Sequence, residues 1–375
     1  MLTAQWMYDS QNGWTRSSGS EIQDPQLILT FGTGSTFSKQ SYLELQDKFP
    51  NSKIVGCSTA GTISGPVVDD ITVATLIYLE KGRIKVTVKD FDSPNESLLV
   101  GKEIAHSLKE DDLKHIFVLS DGLHINGSDL TDGLNQSIAK DVKVTGGLAG
   151  DGLNFKHTYI IANDIPKEKR VVAVGFYGDS LEIKSGCFAG WDEFGAERII
   201  TRSQGNVLYE IDGKPALELY KSYLGDEASE LPGSGLKFPI SIRQNKSEEP
   251  LIRTLLAIDE EEQSISFAGD VPEGFHCRLM KSNMDKLIDH AGLAAKNAKI
   301  GTGNSDLCIT ISCVGRRVIL SQLVEEELDA IEDALGEKTL LTGFYSYGEI
   351  APFHGLINCA LHNETMTLTV INEKT

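Results

Sequence analysis

Three glycine-rich segments of the chain resemble one another: VGCSTAGTIS at 55–64, TGGLAGDGLN at 145–154 and TGFYSYGEIA at 342–351. Each comes at the end of the same series. An apolar run is first (LILTFGTG, HIFVLSDGL, LCITISCVG), and a segment with helical spacing follows (SYLELQDKF, DLTDGLNQSIA, QLVEEELDAIEDAL). After each glycine motif come two runs rich in Val, Ile and Thr: ITVATLIYL with IKVTVKDF, HTYIIAN with VVAVGFYG, LINCALH with MTLTVI. The predicted unit is therefore strand, helix, strand, glycine turn, hairpin. Its spacing is uneven, which excludes a solenoid. The predicted class is α/β of the α+β kind, with mixed, largely antiparallel sheets layered with helices and built from duplicated units.

The middle of the chain breaks this pattern. Residues 192–225 run from strand to helix, with a turn at Asp212-Gly213 and Pro215 at the start of ALELYKSYL. GDEASELPGSG then reads as a loop. These features divide the chain into an N-terminal domain over 22–215 and a C-terminal domain over 216–375.

Charge narrows the function. The formal net charge is −19, which opposes binding to nucleic acid or to an anionic membrane surface. No apolar run is long enough to span a bilayer, and the first residues lack a signal-peptide pattern. The six cysteines are scattered, with no CxxC. Cys308 and Cys313 lie five apart in a strand pattern, so they face opposite sides and make a poor metal pair. Reduced, buried thiols in a cytoplasmic protein are the expectation.

Recurrence makes turn formation the first explanation for Gly56, Gly61, Gly146, Gly150, Gly343 and Gly348. No motif matches a nucleotide phosphate loop, and no GxSxG or HExxH is present, so no enzyme is predicted. The third copy is richer than its sisters. It adds Phe344, Tyr345 and Tyr347, and it carries Glu349 where the others have Thr62 and Asp151. A wall of a ligand pocket would use Gly343, these aromatics and Glu349. Arg316, next to Arg317, could hold an anion there. Solvent-facing arginines and a surface carboxylate are the plainer readings.

GNVLYEIDGKPALELY, CVGRRVIL, GFYSYGEIAP and HNETMT, in this order, resemble the FIST proteins, as do GCSTAG, SDGLHINGSDL and GGLAGDG in the first half. The resemblance implies a sensory module with an N-terminal and a C-terminal FIST domain. It is also similar to a bacterial subset, the nitric oxide sensing proteins, which bind haem and report nitric oxide to a histidine kinase or to cyclic-di-GMP synthases and phosphodiesterases. What this implies here is a stand-alone sensor holding haem b non-covalently, since CxxCH is absent, and acting in trans on biofilm-type signalling. His362, at the family's HN-x-T-M-T position, would be the first candidate for the iron and His124 the second, with His354 and His157 weaker. A homo-oligomer is one option for its assembly. The alternative is a FIST sensor of a small polar metabolite such as an amino acid, without haem.

Overall fold

The structure is a computed structural model that describes residues 1–352 and 358–374, apart from the side chain of Ser35. His354 lies outside the described residues. The fold is mixed α/β, with mostly antiparallel sheets and helices packed on them.

Three sheets share one pattern. Each is centred on a parallel pair: Leu27–Gly32 with Lys53–Ser58, Leu113–Ser120 with Lys143–Leu148, and Leu307–Cys313 with Leu340–Ser346. An antiparallel strand flanks the first member of each pair: Thr72–Tyr78, Arg170–Tyr177 and Met366–Glu373. Nearly every residue of these strands is buried. Such two-sided burial is what continuous Val/Ile/Leu runs require.

The outer strands correct the hairpin expectation. Thr72–Tyr78 and Arg83–Asp90 do not pair, because the second joins Arg170–Tyr177 of the next sheet. Ile160–Ala162 joins Lys53–Ser58, while Cys359–His362 joins Gly348–Pro352, which itself lies against Lys143–Leu148. Each run therefore crosses to another layer instead of folding back. The crossing after Tyr78 is tied by the Glu373 carboxylate, which accepts from the backbone N–H groups of Glu80, Lys81 and Gly82. These bonds hold the Glu373 carboxyl down at about 2 against the opposing effect of burial.

Three of the six glycines are also placed differently from the expectation. Gly56, Gly146 and Gly343 sit within strands, opposite Thr30, Val118 and Thr310. A Cβ on any of them would come within 2.0, 1.9 and 1.7 Å of the carbonyl oxygens of those residues. Close approach between strands, and not a turn, excludes a side chain there. The three motifs then meet. Tyr345 N–H donates to Gly61 O at 2.8 Å, Gly150 N–H to Ser58 O at 2.9 Å, and Tyr347 N–H to Leu148 O at 3.2 Å.

Residues 192–281 build a fourth, eight-stranded sheet, with helix Ala216–Leu224 burying Leu217 and Tyr220 in its core. It packs against the strand ends where the glycine motifs converge, and this contact creates the site. Among the described residues no helix is long and apolar enough to cross a membrane.

Candidate functional site

A cavity of about 440 Å³ lies between the ends of the parallel strands and the fourth sheet. Its volume falls in the range of roughly 300–1,000 Å³ typical of small-molecule sites. One side is built from the loop after Leu113–Ser120, including Gly122, Leu123, Ile125 and Asn126, and from Cys313–Gly315 at the end of Leu307–Cys313. The fourth sheet supplies Thr254, Leu256 and Phe267–Asp270. Tyr347, Leu148 and Leu361 form the floor. The location at the carboxyl ends of parallel strands is a common place for ligands in α/β sheets.

Local chemistry shapes the loop. The buried Asp121 carboxylate accepts from the N–H groups of Leu123 and His124, both at 2.8 Å. Asn126 caps helix Gly127–Ser137, its Oδ1 accepting from the N–H groups of Ser128 and Asp129, while its Nδ2 donates to Asp270 Oδ1 at 3.3 Å. Asp129 and Asp270 both line the cavity, and among the described residues no Lys, Arg or His does. Burial first, and then Asp270, push the Asp129 carboxyl above its ordinary range.

Behind the wall lies the turn His362-Asn363-Glu364-Thr365, with every residue at most 1% exposed. Its left-handed residue is Glu364 (φ 59°). A non-glycine residue there is strained. Thr254 Oγ1 donates to Glu364 Oε1 at 2.9 Å. Glu364 Oε2 and both amide atoms of Asn363 are buried with no hydrogen-bond partner among the described residues. Buried polar atoms left in this state are rare and call for an explanation. Gly315 makes room for the Glu364 carboxyl, since a Cβ on it would lie 2.1 Å from Glu364 Oε1. Two residues of the cavity wall, Thr254 and Gly315, therefore touch this carboxyl from the front.

Glu349 is opposite His362 across the strand pair. Its carboxylate accepts from Ser346 Oγ at 2.5 Å and from Thr365 N–H and Oγ1 at 3.1 and 2.8 Å. Burial outweighs these bonds and pushes Glu349 up to about 8, and burial likewise raises Glu364 to about 7.

The remaining sequence candidates are dispersed. Tyr347 lines the cavity, stacks on Phe155 and donates to Gly152 O at 3.2 Å. Gly343 is between strands, and Phe344 packs in the core against Phe31. Tyr345 is fully buried and donates to Glu327 Oε1 at 2.6 Å. Arg316 does hold an anion, but it is the chain's own Glu327 at 2.7 Å, and its other donors go to Ala189 O and Leu287 O. The sequence reading passed over Asp129, Thr254, Asp270, Asn363 and Glu364. HNETMT carried the only hint, and it was read for its histidine.

A haem would require an axial donor facing an apolar slot. The His362 ring is fully buried, its Nε2 lies 2.9 Å from Ala351 O, and it is on the wall of neither large cavity. His124 holds Asp121 through Nδ1 at 3.1 Å, the arrangement of a ligating histidine, but it too is absent from both walls. Within the 440 Å³ cavity the donors are Cys313, whose thiol burial pushes well up, and Tyr347, pushed to about 12, so both are held protonated. His157 is 62% exposed beside Glu168. The described residues do not fit haem.

Residues 26–214 match the FIST N domain and residues 216–352 match the FIST C domain. An uncharacterized protein of Methanocaldococcus jannaschii is 25% identical over 313 residues, which is 77% of this chain. The chain spans 59% of that relative's length. On the strength of the two domain matches, the chain belongs to the FIST family, with a FIST N domain followed by a FIST C domain.

Proposed function

We propose that the chain is a sensory protein that binds a small polar molecule in the 440 Å³ cavity and passes the signal to a separate protein. The observation that carries this reading is the cavity itself, backed by Glu364 and Asn363 with unsatisfied polar atoms. An ordinary core would fill such a space with apolar side chains and pair every polar atom. The cavity also joins segments remote in sequence, from 94 to 361. A ligand that touches the Gly122–Gly127 loop, the fourth sheet and Gly315 together would bias their relative placement.

Helix Val314–Leu320 is the natural outlet for that bias. Gly315 touches the cavity, while Arg317 and Val318 line a broad groove of about 930 Å³ on its other side. The partner in trans, a histidine kinase or a cyclic-di-GMP enzyme in related sensors, would meet the protein after this change. The haem and nitric oxide reading is not adopted, because the donor set does not suit it. Adding haemin is expected to give no Soret shift that depends on His362 or His124.

Thermal-shift measurement with a panel of amino acids, amines and carboxylates tests the reading. At least one compound is expected to raise the melting temperature of the wild type. Ile125→Trp, which fills the cavity from its loop side, is expected to abolish that rise. A rise of equal size in Ile125→Trp would sink the assignment to this cavity.

A further inference from the structure

The geometry points to an organic cation, a small molecule bearing an ammonium or guanidinium group, as the ligand of this cavity, held by Asp129 and Asp270. This inference rests on the ligand-binding reading above and specifies its chemistry.

The cavity is acidic in a particular way. Elsewhere on the chain clustered acids are matched to bases: Glu110 to Arg83 and Lys85, Glu197 to Arg243 and Lys246, Asp192 to Lys286. Asp129 and Asp270 line the cavity, and Asp132 stands one turn along the same helix as Asp129. Among the described residues none of the three has an ion pair within 4.0 Å. They instead act on one another, since Asp132 is raised by burial and then by Asp129 and Asp270. A cation placed between them removes that repulsion.

A base close behind the wall, Arg253, is already committed. Arg253 lies behind Gly269, where a Cβ would come within 3.0 Å of Nε. Its Nε donates to Asp270 O at 2.9 Å, and its Nη1 donates to Ile252 O and Leu361 O at 3.1 and 3.0 Å. These are carbonyls, so Arg253 ties strands together and makes no ion pair with Asp129 or Asp270 among the described residues, although its charge acts on Asp270 from behind the wall.

Glu364 is the independent observation. Its Oε2 is fully buried without a partner among the described residues, in the gap that Gly315 leaves in the wall. Its other oxygen takes the hydroxyl of Thr254, also a wall residue. A ligand N–H bonding to Thr254 Oγ1 would thus complete a chain that ends on a carboxyl group. A metal ion is a poorer match, because no three His, Cys, Asp or Glu among the described residues converge to hold one. The apolar remainder of the wall, with the Tyr347 ring, suits the carbon part of an organic cation and its charge.

The test is thermal shift at constant ionic strength with three matched probes: agmatine, succinate and 1,4-butanediol. Agmatine is expected to raise the wild-type melting temperature, and the other two are not. Asp129→Asn/Asp270→Asn is expected to bind agmatine at least tenfold more weakly, with its circular dichroism unchanged. Thr254→Val, a milder change, is expected to weaken it several-fold. A shift with succinate or butanediol but not agmatine would overturn the cation while leaving the cavity as a ligand site. An agmatine shift that persists undiminished in the double variant would overturn it as general screening of an acidic chain. No shift with any probe, nor with the wider panel, would remove the ligand site itself.

Discussion

Two fully buried glutamates lie against helix Val314–Leu320, Glu364 at Gly315 and Glu327 at Arg316, and they are treated in opposite ways. Glu327 takes Arg316 Nη2 at 2.7 Å and Nε at 3.1 Å on one oxygen, and Tyr345 and Ser312 hydroxyls on the other. Glu364 has a single hydroxyl partner, one oxygen with none, and a left-handed backbone. The first is a closed network that holds helices to sheet. The second is an open one, and it lies behind Gly315 and Thr254, which line the cavity. A chain that satisfies one buried carboxylate completely has a physical use for leaving another incomplete.

Breaking the closed network should have the largest effect. Arg316→Met leaves Glu327 buried and unpaired, which is expected to cost about 3–5 kcal/mol in urea unfolding. A loss below ~1 kcal/mol would mean that the network is looser than its geometry. Next is Gly315→Ala, whose Cβ would lie 2.1 Å from Glu364 Oε1. Overpacking of this kind is expected to cost about 1–3 kcal/mol. Glu364→Ala should relieve it, so the double variant should be clearly more stable than the sum of the singles. Simple additivity would show that the two residues do not touch.

Proton linkage gives a smaller, graded effect. Glu349 and Glu364 are raised from an ordinary 4.5 to about 8 and about 7. The folded chain therefore binds these protons more tightly than the unfolded chain. Their contribution is complete below pH 4.5 and is lost as pH rises through 7 to 8. Stability of the wild type is expected to fall between those values, and Glu349→Gln should flatten the decline. An unchanged slope in the variant would place the titration elsewhere. Smallest of all is Glu364→Gln, expected to change stability by less than ~1 kcal/mol, because an amide of the same shape carries no buried charge.

Much of the fold was legible because periodicity reports which face of a strand or helix is buried. Thr72–Tyr78, Gly127–Ser137 and Leu307–Cys313 all stand where their apolar patterns put them. Strand partners were not legible. Alternation identifies the faces of Arg83–Asp90 but not the neighbour it finds in another sheet. Gly56, Gly146 and Gly343 were legible as special and misread as turns, because close strand approach and positive φ leave the same residue behind. Arg316 and Arg317 are adjacent and chemically equal in sequence. Only the fold separates the buried one from its neighbour, which reaches Ala60 O and Asp70. The acidic wall was invisible, since Asp129 and Asp270 belong to different sheets' worth of sequence and meet only after folding. Glu364 was overlooked beside a histidine and an asparagine whose residue types are better known for turns and ligation.

The comparison of the two glutamates is tested most directly by paired substitution, with agmatine-induced thermal shift read alongside unfolding stability. Glu327→Gln is predicted to lose several degrees of melting temperature and keep the agmatine affinity of the wild type. Glu364→Gln is predicted to keep its melting temperature and bind agmatine several-fold more weakly. The reverse pattern, with Glu364→Gln unstable and binding normally, would contradict the account.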